Sequence, residues 1–362
     1  LRRDILPMHF LARLDENFPV AEDKGRVLTA QRVMPDRAVF MISIDTEMAW
    51  GFMHYRDRPS PYVYRNERGL ISDLLGLFEK HAIKATWAVV GHLFLDRCHP
   101  EGGVKHPELV RPGYSWLNGQ DWLDPAPCNA TTGTADQTQV HPMWYGRDIV
   151  EMIMSCKVPQ EIGSHTFSHV RCADPGLNAQ AFDSDLTECR RVADGVVPPM
   201  RSFVYPRHEK GHLDVVVRHG FTSYRDLPSR SGLGQVRSQL KLLGILPHRQ
   251  RLAIYPQWES EGIWNFPSTY FFDTGAGRIG KLPASIGAIA VSSRVREAVQ
   301  AKGLFHLWFH THNLTEKPQK SLKIMDRLLK NVSTLRRKGL IENLTMGELS
   351  ARLGMPAATS GA

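Results

Sequence analysis

Near the amino-terminal end the chain reads strand, helix, strand, and that order limits the fold more than any other feature. Residues 38–44 form a nearly continuous apolar run, the pattern of a strand buried on both faces. Leu70, Leu74, Leu77 and Phe78 then recur at helical spacing within 69–80, and residues 85–90 read as a second buried strand. Such a unit implies a right-handed crossover between parallel strands. The rhythm continues with helices over 147–156, 179–193, 212–219 and 321–337, and strands at 161–162, 202–205, 221–224 and 304–309. Residues 341–344 and 346–353 read as a last strand and helix, whereas 228–300 give no clear pattern. Repeated units of this kind make an α/β barrel or a doubly wound sheet.

Where the reactive residues fall favours the barrel. Asp45 and Glu47, His165 and His169, Arg207, and His310 each stand just after a predicted strand. Carboxyl ends of parallel strands are where such folds build their sites. Residues 97–145 interrupt the rhythm with Pro112-Gly113, Asn118-Gly119 and Pro125-Ala126-Pro127, among which Tyr114, Trp116, Trp122, Trp144 and Tyr145 are interspersed. An insertion this long either serves binding or is an ordinary surface excursion.

Composition narrows the class. With 42% hydrophobic residues in 362, the chain can bury a core and is not mainly disordered. The net charge of +8 suits an anionic partner, such as a phosphate-bearing substrate, a membrane surface or nucleic acid. The basic residues are scattered, however, and the one local cluster, Arg336-Arg337-Lys338, reads as the solvated face of a helix. The five cysteines include no C-x-x-C pair, and their odd number and irregular spacing read as reduced thiols in a cytoplasmic protein. No apolar run is long enough to span a bilayer, and the first residues carry no secretory apolar segment. Gly275 to Lys281 fits a phosphate-loop spacing, but Leu282 and Pro283 follow where a Ser or Thr and a helix are needed.

In Glu161-Ile162-Gly163-Ser164-His165-Thr166-Phe167-Ser168-His169, two imidazoles lie four residues apart. If the segment after Gly163 turns into a helix, they share one face and can grip one ion. Two histidines and a carboxylate make a facial ligand set with open positions. Asp45 and Glu47 are two apart, so on extended backbone they share a face. One can bind the ion while the other stays free to accept a proton.

Four motifs, taken in order, resemble the polysaccharide deacetylases of the NodB-homology type, carbohydrate esterase family four. They are Ser43-Ile44-Asp45-Thr46-Glu47, His165-Thr166-Phe167-Ser168-His169, Phe203-Val204-Tyr205-Pro206-Arg207 and Trp308-Phe309-His310, spanning about residues 38–313. The resemblance implies a deformed (β/α) barrel with a long insertion after the second strand. It implies Asp45 as general base, His165 and His169 as metal ligands, and His310 as the acid that protonates the departing amine. Thr46 stands where many members have a metal-binding Asp, so Glu47 becomes the third ligand. Val204 stands where many members have the Arg that orients the base. Arg207 and Arg201 are the substitutes, Arg207 being preferred for its place at the carboxyl end of the strand; its backbone N–H also falls where the family has an oxyanion donor. Trp50, Pro206, Trp308 and His312 are the expected substrate contacts, with Trp144 and Tyr145 as further candidate platforms for a sugar ring. His312 also competes with His310 for the acid role, and His306, inside its strand, reads as a satisfied core histidine.

The expected function is metal-dependent removal of an N-acetyl or other N-acyl group from an amino sugar in a glycan or glycan precursor. One divalent ion is expected, zinc first, with cobalt, nickel or manganese as substitutes. The expected partner is the N-acetylated amino sugar, in a form that can bear phosphate; no nucleic acid and no transmembrane segment are expected. The expected organisation is a lead-in over 1–36, one domain over 37–355 with the insertion at about 97–145, and a tail over 356–362. Two alternatives stand beside this: another C–N hydrolase acting on a formamide or cyclic ureide, and an inactive carbohydrate-binding homologue.

Overall fold

A computed structural model describes residues 28–29, 34–53, 61–98, 101, 103–126, 142–227, 254–274 and 283–355, with backbone only at 28–29 and 61–65. The phosphate-loop spacing at 275–281, Cys128, the tail over 356–362 and most of the lead-in lie outside these residues.

Among the described residues, seven parallel staves make the barrel. β2 (Ala38–Thr46) pairs with β3 (Thr86–Val89), β3 with β4 (Glu161–Ser164), β4 with β5 (Ser202–Val204), and β5 with β6 (Ser223–Arg225). β6 pairs with β8 (Trp264–Asn265), whose chain runs on into β9 (Tyr270–Phe271). β9 pairs with β10 (Leu304–His310), and β10 returns to β2. The seventh stave is one bent segment. Its first half bonds to β6 through Phe266 N–H to the Tyr224 carbonyl (2.9 Å) and Ser268 N–H to Asp226 (2.8 Å). Its second half bonds to β10 through Thr269 N–H to His306 (2.9 Å) and Phe272 N–H to Trp308 (2.9 Å). β1 (Leu28–Thr29) and β7 (Gln257–Trp258) add an antiparallel flap beside β8, and β11 (Ile341–Asn343) pairs with the start of β2.

β2 shows why the barrel has two apolar layers. Phe40, Ile42 and Ile44 face outward into the large core under the helices, while Val39 and Met41 face inward with Ala88, Val204, Trp264 and Phe266. Alternation along a strand sends successive side chains to opposite faces. The helices are α1 (Pro61–His81), α2 (Arg147–Met154), α3 (Ala179–Ala193), α4 (Leu213–Arg218), α5 (Ala284–Ala301), α6 (Pro318–Arg337) and α7 (Met346–Leu353). α1 begins well before its periodic stretch, at a proline suited to a first turn. α5 falls in the region that the sequence pattern left unread; its apolar residues are spread around the helix and leave Ile286 and Ile289 exposed.

α7 meets the amino ends of the strands and forms the floor. Its Met346 N–H donates to Thr86 Oγ1 (3.0 Å), and its Gly347 N–H to both oxygens of Glu161 (3.1 and 3.0 Å). Ser202 and Thr86 hydroxyls complete the shell of that carboxylate at 2.6 and 2.7 Å. A Cβ on Gly347 would lie 2.4 Å from Glu161 Oε1, so only glycine allows this approach.

Candidate active site

The inward row of β2 changes character as it climbs. Val39 and Met41 are followed by Ser43, Asp45 and then, past the strand end, Glu47, all buried. Asp45 is gripped on both oxygens by Arg225, Oδ1 to Nη1 and Oδ2 to Nη2 at 2.7 Å each. Arg225 is fully buried, and its Nη1 also donates to Ser43 Oγ at 2.9 Å. A two-pronged guanidinium contact fixes a carboxylate in orientation as well as in charge. Burial pushes the Asp45 carboxyl up, but Arg225 and the imidazoles of His165 and His310 outweigh it and hold the group below the usual carboxylate range.

This corrects one expectation. The arginine that grips Asp45 is Arg225, not Arg207 or Arg201. Arg207 Nε donates to Glu209 at 3.2 Å, and Arg201 is exposed at the opposite, amino end of β5. Arg225 stands directly across from Val204 in the β5–β6 register. The guanidinium therefore enters at the same level, carried by the neighbouring strand. The signal in the sequence was Arg225 itself, one residue beyond the predicted strand at 221–224 and on the side that alternation turns inward.

Below this pair a chain of neutral donors holds the layer. His306 Nδ1 lies 3.0 Å from the Phe266 carbonyl, which can only accept, so Nδ1 carries the proton. His306 Nε2 therefore accepts from Ser43 Oγ–H at 2.8 Å. Burial first, and Arg225 second, lower the His306 pKa to about 3. His306 is the satisfied core histidine that its place inside a strand implied.

Glu47 meets the two imidazoles of the His-x-x-x-His segment. Its Oε2 is 3.3 Å from His165 Nε2 and 3.0 Å from His169 Nε2. The segment is not the helix that would have paired them. Asp185 on α3 draws in the N–H groups of Phe167 and Ser168 and the Ser168 hydroxyl at 2.6–3.0 Å. The carbonyls of Thr166 and Phe167 accept from Gly91 and His92. With its backbone groups engaged elsewhere, the segment loops, and Thr166 and His169 take positive φ of 63° and 57°. Met48, Arg207 and His208 are left-handed too, at 48°, 57° and 58°, which gathers backbone strain at the barrel mouth.

The donor set fits a cation. His165 Nδ1 is 2.8 Å from the Val204 carbonyl, an acceptor, so its Nε2 turns a lone pair toward a carboxylate oxygen. His169 Nδ1 is buried without a hydrogen-bond partner among the described residues. Burial raises the Glu47 pKa, but His310, His165 and His169 drive it well below the usual value, so the carboxylate is charged. Glu47 also needs the glycine after its turn, because a Cβ on Gly51 would lie 2.1 Å from Oε1.

His310 and His312 close the other side. His310 Nε2 stands 3.5 Å from Asp45 Oδ2 and 3.9 Å from Glu47 Oε1, and His312 Nδ1 is 3.8 Å from Glu47 Oε1. The two rings stack at 4.9 Å. Asn313 Oδ1 accepts from both the His310 backbone N–H (3.2 Å) and Nδ1 (2.8 Å), which leaves Nε2 as the atom facing the carboxylates. Burial first, then His310, lower the His312 pKa to about 3, so it is neutral. Behind them Glu67 is fully buried against the Thr311 hydroxyl, and burial raises its pKa to about 8.

The expected sugar contacts divide. Trp308 lies at the mouth, flanked by Arg225 at 4.7 Å, His208 at 4.4 Å and Phe271 at 4.3 Å. Phe271, which the sequence reading did not pick out, is 41% exposed there and offers an open ring face. Pro206 is buried in the turn after β5. Trp50, Trp144 and Tyr145 are buried in the outer core instead, with Trp50 Nε1 donating to the Trp144 carbonyl at 3.0 Å. The described part of the insertion packs on the back of the histidine loop, where Trp122 Nε1 reaches the Ser168 carbonyl at 3.1 Å.

The barrel of parallel strands thus holds at its mouth a carboxylate–imidazole triad beside a guanidinium-clamped Asp. No family model and no curated protein matches the sequence. Solved structures do match the fold. A candidate polysaccharide deacetylase from Mycobacterium smegmatis aligns with TM-score 0.51 at 10% identity over 88% of this chain and 91% of that one. One from Pseudomonas aeruginosa PAO1 aligns with TM-score 0.51 at 9% identity over 88% and 94%. A GH57-type branching enzyme from Pyrococcus horikoshii aligns with TM-score 0.52 at 10% identity over 90% and 71%. At such identities the likeness is one of fold: the chain has the deformed barrel of the polysaccharide deacetylases, an architecture shared with the branching enzyme.

Proposed function

We propose that the chain is a metal-dependent carbohydrate N-deacetylase, an amide hydrolase acting on an N-acetylated amino sugar, with residues 37–355 as its single domain. The observation that carries the reading is the pair of buried carboxylates two residues apart in different company: Glu47 against two imidazole nitrogens, Asp45 against Arg225. Glu47, His165 and His169 would hold the ion. When bound, a divalent ion supplies a Lewis acid that polarises the amide carbonyl and makes water more acidic.

The remaining work falls to this chain's own groups. Asp45, kept ionised by Arg225, takes the proton of the attacking water. Asp45 Oδ2 is the oxygen nearer His310, so base and acid flank one position. His310, with Nδ1 held by Asn313, delivers a proton from Nε2 to the departing nitrogen. The Arg207 backbone N–H, in the left-handed turn after Pro206, is the oxyanion donor. Trp308, Phe271 and His312 border the sugar.

The branching-enzyme architecture does not carry its chemistry over. A retaining glycosidase needs one carboxyl as nucleophile and another that stays protonated as acid. Here Asp45 and Glu47 are both held ionised, so neither is that protonated acid. The test is acetate release from N-acetylglucosamine oligomers by protein loaded in turn with zinc, cobalt, nickel and manganese. Release that stops on chelation and returns with the ion is expected. Undiminished release by the metal-free protein, or none with any ion, overturns the proposal.

A further inference from the structure

A second group of ligand atoms lies outside the barrel, where the turn after β3 meets the insertion. His92, in the turn Gly91–Phe94, and His106, in the insertion, aim Nε2 at the sulfur of Cys98, at 3.0 and 3.1 Å. The other ring nitrogens are fixed. His92 Nδ1 is 3.0 Å from the Trp144 carbonyl oxygen, and His106 Nδ1 is 2.9 Å from Glu108 Oε1. Carbonyl and carboxylate accept, so both Nδ1 atoms carry the proton and both Nε2 atoms turn lone pairs toward the sulfur. The Tyr145 hydroxyl donates to the same sulfur at 3.1 Å. The ligand atoms of His92, Cys98 and His106 all lie within 4.8 Å of one another, and both imidazoles are buried. Two imidazoles and a thiol, with the outer ring nitrogens tied to a carbonyl and a carboxylate, form the donor pattern of a borderline-soft ion.

We propose that His92, Cys98 and His106 bind a second divalent cation, zinc by the chemistry of its donors, in a structural role. On binding, the Cys98 S–H proton leaves to solvent and the thiolate takes the ion, while both Nδ1 protons stay. Tetrahedral bonds of about 2.3 Å to sulfur and about 2.0 Å to nitrogen set sulfur and nitrogen about 3.5 Å apart, so the cluster opens by about half an ångström. The rings of His92 and His106 pack on Phe167 at 5.6 and 5.1 Å, and Phe167 lies between His165 and His169 in the chain. Trp50 packs on His92 at 4.4 Å from the turn that follows Glu47. The second ion thus braces from behind both segments that carry the mouth triad, and pins the insertion to the barrel.

The experiment needs no substrate. Full-length protein is stripped, reloaded with cobalt(II), and read for stoichiometry and for thiolate-to-cobalt charge-transfer absorption in the near ultraviolet. The mouth triad contains no sulfur, so that band reports the second site alone. Two bound equivalents with the band are expected; Cys98→Ser loses the band and one equivalent, and His165→Ala keeps the band. Should Cys98→Ser fail to fold, iodoacetamide labelling of the unmutated protein decides: zinc is expected to slow alkylation at Cys98 about tenfold or more. A cobalt-loaded protein without the band, a band that survives in Cys98→Ser, or Cys98 labelling indifferent to zinc overturns the proposal.

Discussion

The floor and the mouth of the barrel both bury carboxylates, yet they surround them differently. At the floor Glu161 receives two hydroxyls and a helix N–H, all neutral, and Thr86 and Ser202 reach it in good geometry. At the mouth Asp45 and Glu47 face a guanidinium and four imidazoles. Orphaned atoms occur there as well: Thr46 Oγ1, Thr166 Oγ1, His169 Nδ1, His208 Nδ1, Arg225 Nε and His312 Nδ1 lack hydrogen-bond partners among the described residues, as do Glu67 Oε2, Arg190 Nε, Tyr205 Oη and Asn265 Oδ1. None of the floor groups Thr86, Glu161, Ser202 or Ser223 does. Buried polar atoms are normally satisfied, so the two ends teach where stability was built and where reactivity was.

The sharpest way to break this contrast is Asp45→Asn. Acetate release should fall about a thousandfold, with the bound metal unchanged by elemental analysis. Loss of the metal as well would make Asp45 a ligand and merge its role with that of Glu47. Arg225→Met comes next. It strands a buried carboxylate, so unfolding in urea should show a loss of about 3–5 kcal/mol. The double variant with Asp45→Asn should recover most of that loss, and failure to recover would mean that Arg225 acts through packing on Trp308 instead.

Glu67 sharpens the comparison by pH. Its folded pKa of about 8 lies above the 4.5 of an ordinary glutamate, so the folded state holds the proton longer. Its contribution is therefore fully present below the unfolded value and is lost as pH rises toward 8. Glu67→Gln should gain on the unmutated protein across that window, with a slope approaching about 1.4 kcal/mol per pH unit, measured by urea unfolding at stepped pH. A gap that stays flat with pH would show Glu67 to be ionised throughout. The smallest effect belongs to the floor. Glu161→Gln should lower stability by about 1–3 kcal/mol and leave turnover per folded molecule alone. A loss of turnover there would erase the division between the two ends.

What the sequence made legible follows from what travels along a chain. Asp45, Glu47, His165, His169 and His310 could be read because each sits at the end of an apolar run, and strand ends converge in a barrel. Arg225 was missed because its partner is reached across strands, through the register with Val204, and linear spacing carries no register. The looped histidine segment was hidden for a similar reason: Asp185, far along the chain, takes the N–H groups that a helix would need. Trp50, Trp144 and Tyr145 were open to misreading because an aromatic residue does not announce which layer it fills. The bent stave at 264–272 breaks its pattern where it changes partners, so it has no single period to detect.

Gly51 sets a condition on the barrel mouth. The hydrogen it carries in place of a methyl is what leaves space for the Glu47 carboxylate, 2.1 Å from where that methyl would be. The Glu47 carboxylate, two residues past the strand-end Asp, is thereby tied to a glycine four positions later. Alanine at position 51 would have to push the Glu47 carboxylate away from the His165 and His169 nitrogens that it meets.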